Sequence, residues 1–168
     1  MKLLSGGQSG VDRAVLDAAI ARGIAYAGWC PQGGWAEDFP APPGLLAKYP
    51  GLKATPRADP AQRTEWNVRD ADACMIVIDA AGLDVSKGTA LAEELAHRHR
   101  KPILVVDLSD PESVERAALW LRVQVRRLGA DLALAIGGPR ESEAPGIYAK
   151  ARAFIDALLD LVERASER

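Results

Sequence analysis

The sequence is poor in the residues from which metal centres and disulfide frameworks are built, with two cysteines and two histidines in 168 residues. Cys30 and Cys74 stand far apart with no Cys-x-x-Cys pair, and His97 and His99 sit in a basic segment, HRHRK, that reads as a helix end. Neither a disulfide framework nor a zinc site built by the protein is expected. Neither sign of charge is in marked excess. The 21 Lys and Arg against 23 Asp and Glu leave a net charge of -2, which exerts no global pull on nucleic acid or an anionic membrane. No apolar run approaches the ~18 residues of a spanning helix, and the opening MKLLSGGQ turns polar too early for a secretion signal. The expectation is a cytoplasmic protein without nucleic-acid or membrane partners, in which any anion site is local.

What is present is enough apolar residue, 48%, to build one sizeable core, and residues 1–168 read as a single domain. Apolar runs and punctuation alternate as strand, loop, helix. Residues 1–4 read as a short strand, and Val11, Ala14, Val15, Ala18 and Ala19 then recur at helical spacing up to Gly23. Residues 24–27 read as a second strand, followed by a long loop rich in glycine and proline, and residues 52–55 as a third strand. Asp59, Pro60 and Gln62 supply an N-cap, a proline at the first helical position and a capping-box partner for a helix to about Ala71. CMIVID (74–79), PILVVDL (102–108) and DLALAI (131–136) read as buried strands, separated by helices opening near residues 87 and 109 and closed by one over 147–163. The fold class is therefore α/β, a Rossmann-like three-layer α/β/α sandwich with a mostly parallel sheet.

In such a fold ligands sit where strand carboxyl ends feed helix amino termini. Three glycine-rich loops belong there, at residues 5–10, 84–89 and 137–142. In the first, Gly6, Gly7 and Gly10 free the backbone, and Ser9 with Asp12 resembles a capping box ahead of Arg13. A plain glycine turn and a phosphate cradle both fit. Because GGxxG stands in place of GxGxxG, and the second strand closes without a carboxylate, NAD is not the expected ligand. The second loop sets Ser86, Gly88 and Thr89 at a helix start, with Lys87 either solvated or neutralising a phosphate. Gly137 and Gly138 precede Arg140 and Ser142 in the third, where arginine either meets phosphate or pairs with Glu141 or Glu143. Arg63, Asn67 and Asp70 share one helix face. Trp29, Cys30 and Trp35 are candidates for a lid over a planar ring or for ordinary aromatic packing.

Six blocks in order, SGGQSGVDRAVLDAA, GWCPQGGWAED, RTEWNVRDADA, KGTALAEELA, KPILVVDL and GPRESEAPGIYAKA, resemble the molybdenum carrier protein family of the Rossmann-like SLOG superfamily. Ser9 replaces the family's usual threonine, and Lys87 a frequent glycine. The resemblance implies a homo-oligomer, dimer or tetramer, that binds the molybdenum cofactor (Mo-molybdopterin) as cargo, with molybdoenzymes as receiving partners. The ligand class is thus a phosphorylated pterin or nucleotide. The contacts expected are Gly6, Gly7, Gln8, Ser9, Gly10, Asp12, Arg13, Ser86, Lys87, Gly88, Thr89, Gly138, Arg140 and Ser142. No catalytic residue and no protein metal ligand is expected. A neighbouring SLOG branch hydrolyses nucleoside monophosphates, using a glutamate after a Gly-Thr pair. Here Glu93 stands one residue beyond that branch's spacing, about a hundred degrees around a helix. A sensor of nucleotide derivatives is the third reading.

Overall fold

The computed structural model describes residues 1–166. Six strands, β1 (Lys2–Leu4), β2 (Ala25–Cys30), β3 (Leu52–Ala54), β4 (Ala73–Ile78), β5 (Ile103–Asp107) and β6 (Ala133–Gly137), form one sheet in the order β3-β2-β1-β6-β4-β5. All neighbouring pairs are parallel, with Lys2 level with Ala25 and Ala133, and Ala73 level with Leu134. The helices are α1 (Val11–Ala21), α2 (Leu45–Lys48), α3 (Pro60–Asp70), α4 (Lys87–Arg98), α5 (Ser113–Leu128) and α6 (Ile147–Ser166). On one face α6 packs between α1 and α5; on the other α3 packs beside α4. This is the Rossmann-like three-layer sandwich. Among the described residues, no helix is long and apolar enough to cross a membrane.

Strand alternation sorts the core. Leu3, Met75 and Leu134 point to the α1, α5 and α6 layer, whereas their neighbours Leu4, Cys74 and Ala135 point to α3 and α4. All six residues of β4 are buried, as its continuous apolar run demands. A third cluster of Leu16, Cys30, Leu45, Tyr49 and Leu52 seats the long β2–β3 connection against the sheet edge.

Several boundaries differ from the sequence expectation, each for a physical reason. β2 runs on to Cys30 because β1 ends at Leu4 and the continuing strand pairs with β3 from Gly28 to Cys30. There the Asn67 side chain acts as a strand partner, accepting the Trp29 N–H at 2.8 Å and donating to the Trp29 carbonyl at 2.9 Å. β5 is an edge strand, not a buried one, and Val105 is 37% exposed. α5 opens at Ser113, since the Asp107 and Asp110 carboxylates accept the Ser109 and Glu112 amides and hold residues 107–112 as a turn. Asp59 caps α3 through the Ala61 amide, but Gln62 reaches back to the Arg57 N–H in place of the cap residue's own.

Leu121 is fully buried in the larger cluster although it lies on the outermost helix of that layer. Leu121→Ala is expected to cost about 3 kcal/mol, read as a lower urea midpoint at unchanged slope.

Candidate ligand site

A cavity of about 260 Å³ opens above the carboxyl ends of β6, β1 and β4. Strands to one side of β6 are reached through α1 and those to the other through α3 and α4, so this is where strand order reverses. Three helix amino termini converge on it. α1 contributes Asp12; α3 contributes Pro60, Ala61, Arg63 and Thr64; α4 contributes Lys87, Gly88, Thr89, Leu91 and Ala92, with Ser86 before it. Gly137, Gly138 and Arg140 complete the wall from the β6–α6 loop.

The start of α4 has the character of an anion seat. Ser86 Oγ accepts the Thr89 N–H at 3.3 Å, and the Ser86 carbonyl accepts that of Ala90 at 3.0 Å. The Lys87 and Gly88 amides come too early in the helix for any intrahelical acceptor, and the dipole adds partial positive charge at the same place. Thr89 is 3% exposed, yet its hydroxyl has no hydrogen-bond partner, a state that normally calls for an explanation. The cations beside it are free: among the described residues neither Lys87 nor Arg140 forms an ion pair. Glu143 binds the Arg140 backbone amide and not its guanidinium, which lies 5.8 Å over the Trp35 ring. Gly138 cannot be replaced cheaply, because a Cβ there would run into the Val77 carbonyl and Val11.

The floor is an ion pair. Arg63 Nη1 donates to Asp12 Oδ2 at 3.0 Å, and the two side chains are 14% and 5% exposed. Burial pushes the Asp12 carboxyl above the usual carboxylate range, while Arg63 and the amides of Gln8 and Gly138 pull it down. Gly6 is what admits the guanidinium: a Cβ at that position would occupy the space of Arg63 Nη1 and Cζ.

The rest of the first glycine loop has a different setting from the one expected. Residues 5–10 are all buried, and Gly7, Gln8, Ser9, Gly10 and Arg13 lie outside the cavity wall. Gly7, at φ 71°, turns the chain over Leu45 and Leu52. Gly10, at φ 74°, lets the 139–141 backbone approach, and the Pro139 carbonyl accepts the Val11 N–H at 3.2 Å. Ser9 does not cap α1. Its hydroxyl donates to Glu37 and accepts the Glu141 N–H at 3.1 Å, and Gly10 occupies the cap position without a side-chain bond. The Arg13 guanidinium grips Asp38 with two bonds of 2.8 and 2.9 Å.

Ser142 is likewise behind the cavity, its hydroxyl and amide both donating to Glu37. One carboxylate thereby joins the first and third glycine loops to the β2–β3 connection. Trp29 lies in β2, edge-on to Trp66 at 4.6 Å with its indole N–H on Asp70, and neither Trp29, Cys30 nor Trp35 lines the cavity. The apolar walls are instead Pro60 and Ala61 with Leu91 and Ala92, none of which belongs to a glycine-rich loop. The readable signal was the Asp59-Pro60 helix start, which follows a strand and so belongs at the same sheet edge. Glu93 is not in the wall. Both cysteines are free and buried, burial pushing the Cys74 thiol up to about 11, and no group of three metal-ligating side chains occurs among the described residues.

Fold and site define an α/β protein with a crevice lined by helix amino termini at the strand-order reversal. Residues 3–159 match the circularly permutated YpsA SLOG family, and the chain belongs to it. It is also similar to a solved structure, that of "Putative molybdenum carrier protein" from Syntrophus aciditrophicus SB, with 37% sequence identity, a TM-score of 0.80 and 94% of each chain covered. No match is found among curated proteins.

Glu37 yields a pH prediction. Burial pushes its carboxyl up, but hydrogen bonds from Ser142 and Ser9 and the nearby Arg140 outweigh this and leave it below its ordinary 4.5. A depressed folded value means the stabilisation is complete above that ordinary value and is lost as pH falls through the folded one. Asp38, held low by Arg13, has the same sign. Acidification is expected to speed amide exchange, corrected for intrinsic rate, in residues 32–44 before the central strands. Glu37→Gln should bring that local opening to neutral pH.

Proposed function

We propose that this chain binds the molybdenum cofactor as cargo and passes it to enzymes that use it. The observation that carries the reading is the anion seat at α4, where an unpartnered buried Thr89 hydroxyl meets two free helix amides and the unpaired cations Lys87 and Arg140. A phosphate satisfies all of these together. Pro60 and Ala61 on one side and Leu91 and Ala92 on the other offer apolar walls to a flat pterin ring. The cofactor's metal is held by its own dithiolene, so this cargo asks for no cluster of protein ligands. The Syntrophus aciditrophicus relative is named a molybdenum carrier, which supports a molybdenum-bearing cargo.

In this reading Asp12, Ser86, Lys87, Gly88, Thr89, Gly138 and Arg140 line the site, and Gly6 makes room for the Arg63 guanidinium beneath it. Gly7, Gln8, Ser9, Gly10, Arg13 and Ser142 hold the loops behind it. Hydrolysis of a nucleoside monophosphate is not favoured, because Glu93 lies outside the wall and Asp12 is committed to Arg63. A nucleotide shares the phosphate and the planar ring, which makes it the control.

The test is anaerobic titration calorimetry of the cofactor-free protein with intact molybdenum cofactor, alongside AMP and GMP. Saturable cofactor binding is expected, with nucleotides much weaker. Lys87→Ala and Arg140→Ala should each weaken it about tenfold or more, the scale of one charge-assisted hydrogen bond. Nucleotide binding alone, or variants with unchanged affinity, would overturn the assignment.

A further inference from the structure

Arg63 is held at the cavity wall without being used up. Its side chain is only 14% exposed, and Nη1 donates to Asp12 at 3.0 Å. Among the described residues, neither Nε nor Nη2 has an acceptor. Arg13 shows the ordinary state of a covered guanidinium: Nε and Nη2 donate to the Gly7 carbonyl, and Nη1 and Nη2 to Asp38. All three nitrogens of an arginine carry N–H groups, and covered donors are normally satisfied.

Charge divides the cavity in two. Arg63 and Asp12 neutralise each other, and the Asp12 carboxylate also takes the Gln8 and Gly138 amides. That end asks for a neutral hydrogen-bond partner. The unpaired Lys87 and Arg140, with the free amides of α4, ask for an anion at the other. A guanidinium donates and never accepts, so the neutral partner must present an acceptor, such as a carbonyl oxygen, and not an amine. Pro60, part of the apolar wall, stands three residues before Arg63 on the same face of α3.

We infer that Arg63 reads the ring of the cargo, its unspent N–H groups receiving a ring carbonyl while Lys87 and Arg140 hold the phosphate. The inference rests on the cargo reading for a phosphorylated ring and adds which ring is accepted. Pterin and guanine both carry such a carbonyl. Adenine has an amino group at the equivalent place, which would set N–H against N–H. Asp12 and Gly6 are then positioning residues: one fixes the guanidinium and cancels its charge, the other gives it room. The donor is oriented before the ring arrives, which lowers the cost of binding.

Titration of the unmodified chain with GMP, IMP and AMP tests this, since the three share ribose and phosphate. GMP and IMP are expected to bind about tenfold tighter than AMP, the scale of an arginine contact with guanine. IMP lacks the amino group of GMP, so its ranking beside GMP assigns the preference to the carbonyl. Arg63→Lys keeps a cation beside Asp12 but loses the planar fork. It should bring GMP down to the level of AMP and leave AMP unchanged, a split that a merely structural role would not produce.

A chain that does not tell GMP from AMP, whether it binds both or neither, overturns the inference. So does an Arg63→Lys variant with an intact melting transition that keeps the preference; if that variant does not fold, the ligand series on the unmodified chain decides. The cargo reading fails separately. A preference for GMP and IMP without uptake of the intact cofactor removes the cargo and leaves the role of Arg63 standing, whereas uptake of the cofactor with GMP and AMP alike does the reverse.

Discussion

The buried pair of Asp12 and Arg63 is the interaction on which the site depends. It joins the first turn of α1 to the first turn of α3, two helices on opposite faces of the sheet, across the end of β1. Such a pair adds little net stability over an apolar replacement, but removing one partner strands a buried charge, at a cost of about 3–5 kcal/mol. Its geometry is consequently enforced. Gly6 keeps the space for the guanidinium, and the Gln8 and Gly138 amides point at the carboxylate. Two of the three glycine-rich loops are thereby positioned by one side chain.

The β2–β3 connection closes the same region from outside. Glu37 takes hydrogen bonds from Ser9 and Ser142, Asp38 takes two from Arg13, and the Glu37 amide donates to Gln8. Long loops are entropically costly to order, and here the ordering rests on charge-assisted bonds at one end and the Leu16–Leu45–Tyr49 cluster at the other. The loop's order is thus tied to the ionisation of two carboxylates. Trp35, on this connection, lies under Arg140, so the state of the loop reaches an arginine of the cavity wall.

The layer order and the central strands were legible because they follow from local pattern: a continuous apolar run for β4, helical spacing for α1, an N-cap and proline for α3. The loops after β4 and β6 were legible for the same reason, since a serine cap announces a helix start and a glycine pair a strand end, and Ser86, Thr89, Gly138 and Arg140 do meet at one cavity. The first loop was only partly legible. A glycine states that no Cβ is wanted but not what fills the space. At Gly6 the filler is Arg63, at Gly10 the 139–141 backbone, at Gly28 the Ser5 carbonyl. Each neighbour is remote in sequence, so close packing and ligand approach give the same local signature. Trp29 was misplaced in a loop because its strand continues on a partner, Asn67, that is a side chain.

Strand adjacency, more than chain order, decides where the crevice lies. Read from β6, the sheet runs fourth, third, second, first, fifth, sixth, stepping outward from a central first strand as in other doubly wound sheets. That reading accords with a family described as circularly permutated. It also explains why the β6–α6 loop carries so much of the site. As the central strand, β6 has α1 on one side of its end and α4 on the other, and its loop serves both: the Pro139 carbonyl receives the first amide of α1, while Arg140 reaches the cavity in front of α4. Gly138 must then pass between Val11 and the Val77 carbonyl with no side chain of its own. The tight packing at Gly138 and the free cation two residues later are thus two consequences of one central position.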